Sequence, residues 1–399
     1  MKILFLSDNY PPEVNAPATR THEHCRRWVN AGHDVTVVTC APNFPTGEVF
    51  AGYQNRLYQA EVLDGVHVVR VWSYMTENAG FVRRIADYVS YAVTATMSGL
   101  FRDFDVLVAT SPQFFTAVAG SVVAGVRGRP WVFELRDFWP ESIVATGAMR
   151  RGVAIRALEA VEVALYRSAD LVVPVTESFK RQLVDRGIDE SKIRVVTNGI
   201  VAAEYSLPPV EDTAASRDRP FRVGYLGTHG LAHGLDLVLR AARLVQPAEV
   251  EFVLIGDGAE KRELELEAAR LELPHVVFRD PIPRDGVPEA LASFDACLVP
   301  LRDTETFRAV IPSKIFEAAA ARRPILLGVR GEAQQIVDEH DAGLTFAPED
   351  ESELVDRIQR LRSDRDLYER LQAGADRLAS AFDRDTLAQR MLTHLETLA

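Results

Sequence analysis

Short apolar runs recur along the chain, separated by longer stretches whose apolar residues fall three or four positions apart. KILFLS (2–7), DVTVVT (34–39), VHVVRV (66–71), DVLVAT (105–110), PWVFEL (130–135) and DLVVPV (170–175) read as strands. Residues 18–31 have helical spacing and stop at Gly32, a residue suited to a helix C-terminus. Strand–helix alternation of this kind argues for a parallel sheet covered on both faces.

Residues 205–220 (YSLPPVEDTAASRDRP) break the rhythm with Pro, Ser, Ala and charge, and read as an interdomain linker. The scheme then repeats. Strands are expected at 221–227, 249–256, 275–278, 295–300 and 324–329, with helices between them, for instance at 259–272 and 313–322. A charged tail over 350–399 is helical and carries no strand signal. The expectation is an α/β protein of two Rossmann-like domains, 1–204 and 221–380. Open α/β sheets bind ligands outside the C-terminal ends of their strands, so two such halves predict a small-molecule cleft.

The length of 399 residues suits two domains. Three cysteines, Cys25, Cys40 and Cys297, are too few and too scattered for a disulfide framework or zinc cluster, and fit a cytoplasmic setting. The opening MKILFLSDNYPP is too short for a signal peptide or a span, and Asp87 interrupts the apolar stretch 85–101. Net charge is −12, yet the first 200 residues carry 21 Lys+Arg against 21 Asp+Glu, so the whole acidic excess lies in the second half. Such a balance argues against nucleic acid as a partner. The neutral half still holds Arg83-Arg84 and Arg150-Arg151-Arg156. Arg83 and Arg84 beside the apolar stretch fit either peripheral contact with an anionic lipid surface or an ordinary helix packed on the first sheet.

Four segments carry candidate chemistry. Gly224-Tyr-Leu-Gly227-Thr-His-Gly230 closes the first strand of the second half. Its glycines suit either an anion lying against backbone amides or a tight turn with packing glycines, and the spacing is not the dinucleotide fingerprint. In Ile311-Pro-Ser313-Lys314-Ile-Phe-Glu317, Pro312 and Ser313 suit a helix start. Lys314 in the first turn is unfavourable beside the helix dipole unless a diphosphate binds there, and Glu317 shares its face one turn on. The pair matches the phosphate and ribose of a nucleotide, or is a surface ion pair or capping box. Glu134-Leu-Arg136-Asp137-Phe-Trp139-Pro140-Glu141 follows a buried strand and holds either an Arg–Asp pair that satisfies buried charge or a catalytic carboxylate. The Pro-rich loop 9–17, containing Asn15 and followed by Arg20, is either a pre-ordered binding wall or a plain connection. No metal-ligand pattern stands out.

Tyr10-Pro-Pro12, Ala16-Pro-Ala-Thr-Arg20, Gly32-His-Asp-Val-Thr-Val37, Pro42-Asn-Phe-Pro-Thr-Gly47, Arg136-Asp-Phe-Trp-Pro-Glu-Ser142, Thr197-Asn-Gly-Ile200 and Pro312-Ser-Lys-Ile-Phe-Glu317 occur in that order. Together they resemble the retaining glycosyltransferases of family 4, over nearly the whole chain, and look most like the WbuB-like amino-sugar transferases of O-antigen and capsule synthesis. The resemblance implies the GT-B fold, with a helix over 381–399 returning to the first domain. It implies a nucleotide-sugar donor, a UDP-sugar, held by the second domain without metal or other cofactor. Lys314, Ser313 and the amides around Gly227 and Gly230 would hold the diphosphate, Glu317 the ribose, and Arg279 and Ile282 the base. A glycan or lipid-linked acceptor would bind the first domain, with Asn15, Arg20 and Arg136 as contacts and Asp137 orienting it or assisting its deprotonation.

The sequence departs from the family pattern in places. The first of two glutamates eight positions apart falls on Ala309, so Glu305 or the backbone amides at 308–311 are expected to contact the donor sugar instead. An Arg and a Lys after the glycine of the second domain's first loop are replaced by Thr228 and His233, so phosphate neutralisation is expected to rest on Lys314, the glycine loop and His229. The rival readings are the same chemistry on a small soluble acceptor, and a catalytically silent sugar-nucleotide-binding protein.

Overall fold

A computed structural model describes residues 1–13, 15–44, 46–75, 81–139, 152–205, 219–308 and 310–399. Ala309, Arg150-Arg151, Pro140-Glu141-Ser142 and nearly all of the expected linker lie outside the described residues, as do the side chains of Arg84 and Glu305. The chain forms two compact units, Met1–Asn198 with Leu387–Ala399, and Gly199–Thr386.

The first unit is built on a seven-stranded sheet in the order β3-β4-β2-β1-β5-β6-β7. Its strands are β1 (Lys2–Leu6), β2 (Asp34–Cys40), β3 (Tyr58–Leu63), β4 (Val66–Val71), β5 (Val106–Thr110), β6 (Trp131–Leu135) and β7 (Leu171–Pro174). Every pairing is parallel except β3 with β4. β5 and β6 are buried at all five positions, so their sequences are largely apolar, with Glu134 the one charge in β6. β3 is the strand that the apolar pattern does not announce. It alternates between exposed and half-buried positions at the sheet edge. Asp64 and Gly65 join it to β4 with φ of +49° and +80°, the paired positive values of a tight hairpin turn.

Helix α1 (Ala16–Asn30) starts at Asn15, whose side chain accepts from the Ala18 amide at 2.8 Å. Helix α2 (Phe81–Leu100) follows β4, and α3 (Phe114–Arg127) follows β5. Gly99 of α2 lies against Val123 of α3, where an added Cβ would come within 3.0 Å.

The second unit holds a six-stranded, wholly parallel sheet in the order β10-β9-β8-β11-β12-β13. Its strands are β8 (Phe221–Leu226), β9 (Val250–Ile255), β10 (Val276–Arg279), β11 (Ala296–Pro300), β12 (Ile325–Gly328) and β13 (Gly343–Thr345). Helices α4 (Lys261–Arg270) and α5 (Lys314–Ala320) flank the strand ends that matter below. The sheet order reverses between β8 and β11, a topological switch point of the kind where α/β sheets bind ligands.

Helix α6 (Arg384–Glu396) carries the chain back into the first unit. Leu387, Met391, Leu392 and Leu395 join Trp28, Val35 and Val66 in one buried cluster. The Trp28 indole N–H donates to the Ala388 carbonyl at 2.9 Å, giving the buried ring its polar partner.

Candidate active site

In the second unit the site grows from two glycine turns. Gly227 follows β8 with φ of +142°, a conformation that L side chains rarely adopt. Its amide donates to the Ile255 carbonyl at 2.9 Å. Gly256, after β9, lies so close that a Cβ there would come within 1.9 Å of the Gly227 oxygen. A Cβ on Gly227 would sit 2.6 Å from both Cε and Nζ of Lys314. The sequence thus leaves the turn bare, and the lysine lies across it.

Lys314 is the first residue of α5, and its Nζ stands 5.3 Å from the centroid of the Tyr225 ring. Among the described residues it forms no ion pair within 4 Å. Burial holds its ammonium below the usual lysine range, and the Glu317 charge pulls in the opposite direction. Glu317, one turn on, is pushed up by burial while Lys314, Arg284 and Arg384 oppose the shift. Ser313 occupies the N-cap position but makes no side-chain cap. With only seven residues in α5, the cationic character of this place rests on Lys314 more than on a long helix dipole.

Between the turns Leu226–Thr228, Ile255–Asp257 and Pro281-Ile282 opens a cavity of about 300 Å³. Gly227 and Ile282 line it as a pair. The Arg279 side chain is exposed, and its carbonyl accepts from the Gly256 amide and from Lys261 Nζ, both at 3.2 Å. Gly230 opens the turn Leu231–His233, and its carbonyl accepts from the His233 amide at 2.9 Å.

His229 does not do what its place in the loop suggests. Its side chain is wholly buried, neither ring nitrogen has a partner among the described residues, and it packs between Tyr225 and Phe278 at 5.8 and 6.3 Å. Burial, then Lys261, pushes its pKa down to about 4. With no anion beside it, the ring is neutral at neutral pH. His233 stands edge-on to the same Tyr225 at 5.9 Å and is also held low by burial and Lys314. Tyr225 is the residue that sequence reading misses, because an aromatic inside a strand reads as core. Its hydroxyl donates to the Thr228 carbonyl at 2.6 Å and fixes the turn below the lysine.

In the first unit, Arg136 and Asp137 leave the end of β6, and both amides donate to the Ser111 hydroxyl, at 2.7 and 3.3 Å. The following aromatics anchor the loop. Trp139 stacks on Phe114 at 4.7 Å, and Arg186 lies 4.3 Å over Phe138. Both charged side chains remain half-buried at the strand end.

Two expected acceptor contacts, Arg20 and Asn15, have partners within the protein. Arg20 is 4% exposed and donates to Glu134 at 2.9 Å, to the Thr197 carbonyl at 2.5 Å and to the Val196 carbonyl at 2.8 Å. Burial would raise the Glu134 carboxyl, but Arg20 and Arg136 win and hold it below the usual range. Asn15 caps α1, and its amide donates to Asn9 at 2.5 Å. Each is held by protein partners, which the residue type alone cannot reveal.

Two carboxylates escape the sequence reading. Glu13 is buried and accepts from the amides of Asn43 and Phe44 at 2.8 and 2.9 Å, tying the Pro-rich loop to the segment after β2. Asp8, half-buried just past β1, is pushed up to about 8 by burial and by the Asp87 and Glu13 charges. The legible signal was position alone: the first acid beyond a buried strand.

Two α/β units, one built on a mostly parallel sheet and one on a wholly parallel sheet, form the GT-B architecture. HepE of Anabaena, solved in complex with UDP, superimposes over 100% of both chains with a TM-score of 0.71 at 19% identity. Sucrose-phosphate synthase of Thermosynechococcus elongatus does so over 100% of this chain and 98% of its own, with a TM-score of 0.72 at 18% identity. Residues 15–199 match the family model described as glycosyl transferase 4-like domain, and 220–364 match glycosyl transferases group 1. The chain belongs to the family 4-type glycosyltransferases. WcaI of Escherichia coli (strain K12), named as a glycosyl transferase of colanic acid biosynthesis, is 24% identical over 328 residues, 79% of this chain and 80% of WcaI. TuaH of Bacillus subtilis (strain 168), named for teichuronic acid biosynthesis, is 22% identical over 202 residues, 49% of each chain.

Proposed function

We propose that this glycosyltransferase takes a sugar from a UDP-sugar, of the N-acetylamino-sugar class, and moves it with retention and without metal onto a glycan or lipid-linked acceptor. The setting is cell-surface polysaccharide synthesis at the inner face of a membrane, in the manner of the WbuB-like branch. The observation that carries the donor half is Lys314, an ammonium without an ion pair among the described residues, laid across the bare Gly227 turn beside a cavity of about 300 Å³. Support for UDP comes from HepE, solved with UDP and also with UDP-glucose. Support for polysaccharide synthesis comes from the names of WcaI and TuaH.

In this reading the diphosphate lies over Gly227 and Gly230, with Lys314 and Ser313 beside it. Glu317 accepts from the ribose hydroxyls. The base enters between Ile282 and the backbone at Arg279. Charge builds on the departing diphosphate as the glycosidic bond breaks, and a desolvated lysine stabilises that charge more than an exposed one would. The leaving phosphate takes the acceptor proton while Asp137 orients the acceptor hydroxyl or assists its deprotonation, with Arg136 alongside. Glu305 stays assigned to the donor sugar.

The test is calorimetric titration with UDP, GDP and ADP, first without metal and then with magnesium. Metal-free micromolar binding of UDP alone is the expected result. Failure of all three to bind overturns the donor site.

A further inference from the structure

Helix α2 packs one face inward through Tyr91, Ala92, Ala95 and Gly99. The opposite face of a surface helix is ordinarily polar. Here every exposed position from Ala86 to Phe101 is apolar: Ala86, Val89, Val93, Met97 and Phe101, the last directly after the helix. Met97 is 58% exposed and Phe101 91%. The hydroxyls between them are turned back onto the chain. Ser90 donates to the Asp87 carbonyl at 2.7 Å, Thr94 to the Trp72 carbonyl at 2.7 Å, and Thr96 to the Ala92 carbonyl at 2.7 Å. Helix α3, seated on α2 at Gly99 and Val123, adds the exposed Val122 and Val126.

Two further features favour a lipid surface over a protein partner. Trp72 and Tyr74 are exposed and fastened to α2, Trp72 by the Thr94 bond and Tyr74 by its amide to Ser90 Oγ at 2.7 Å. Amphipathic aromatic rings suit the depth of lipid headgroups. Exposed Arg83 precedes the stripe, and Arg102, Arg127 and Arg129 surround its far end. The acids nearby are engaged: Asp103 pairs with Lys2 at 2.7 Å, and Asp87 accepts from Ser73 at 2.5 Å.

We infer that the α2–α3 face lies in the headgroup region of an anionic bilayer, with Val93, Met97 and Phe101 entering the acyl boundary and the arginines meeting lipid phosphates. This rests on the lipid-linked acceptor of the proposed function, since a transferase seated on the bilayer meets such an acceptor at its own surface. The contact is interfacial, and no helix among the described residues is long and apolar enough to cross a membrane.

The experiment is co-sedimentation of the full chain with vesicles of phosphatidylcholine, with and without phosphatidylglycerol. Wild type binds the anionic vesicles, and salt weakens the binding. Met97→Glu with Phe101→Glu lowers partitioning at least about tenfold, while UDP affinity stays the same. Arg102→Gln with Arg127→Gln causes a smaller loss that high salt erases. Absence of wild-type binding, or binding that the Met97/Phe101 double variant retains, overturns the inference. So does a concentration-dependent dimer in sedimentation velocity that the double variant abolishes, because the face then belongs to a second copy. A preparation that binds vesicles but not UDP overturns the donor reading and leaves this one standing.

Discussion

Replacing Lys314 by Met separates what the residue does for a ligand from what it does for the fold. Methionine keeps the aliphatic reach across Gly227 and removes the ammonium. A charge-assisted hydrogen bond contributes about 1.5–3 kcal/mol, so its loss weakens UDP binding roughly tenfold to a hundredfold. Stability should move the other way. Burial lowers the lysine's folded-state pKa, so the folded state disfavours the charged form. That cost is fully present below the folded pKa, falls as pH rises through it, and is gone above the unfolded value of 10.5. At neutral pH the variant escapes it, and its melting temperature should hold or rise. Calorimetry with UDP, UMP and uridine supplies the pattern: Lys314→Met loses most on UDP and least on uridine, whereas Glu317→Ala loses similarly on all three because each carries the ribose. A Lys314→Met affinity for UDP within about threefold of wild type refutes the assignment.

Asp137→Ala should leave UDP affinity unchanged and lower transfer by about a hundredfold or more, and full activity removes its role. Arg20→Ala strands the Glu134 charge in the core and should cost about 3–5 kcal/mol, read as a fall in melting temperature, with UDP affinity intact in the folded fraction. His229 gives a pH signature. Its folded pKa is about 4 against 6.5 unfolded, so the unfolded state binds the extra proton as pH falls below 6.5. Stability is therefore lost progressively between those values, by about 2 kcal/mol at pH 5 from this group. Chemical denaturation at pH 7 and pH 5 should show that share of the loss vanishing in His229→Phe, and an equal loss in both proteins refutes the burial argument.

Strands were legible where both faces are covered, because burial on two sides forces a continuous apolar run, as in VLVAT at β5. β3 was not, since Tyr58, Gln59 and Glu61 sit on an edge and need no such run; the Asp64-Gly65 turn was its one clear mark. β13 has three residues, too few to show a period. The Lys314–Glu317 pair was legible because helical spacing fixes which residues share a face. The surroundings of Arg20, Asn15 and His229 were not. Whether a polar side chain faces a ligand depends on which groups meet it in the fold, and Arg20 meets partners 114 and 177 positions away.

The first unit is discontinuous in sequence, and this bears on how it is made. Trp28, Val35 and Val66 are synthesised early, but the helix that covers them begins at Arg384. A nascent chain that has finished Asn198 therefore lacks Leu387, Met391, Leu392 and Leu395 from its core until the whole second unit has been translated. At about 5–20 residues per second, that gap lasts roughly 10–40 s, during which a strip of apolar surface is left to solvent or to a chaperone.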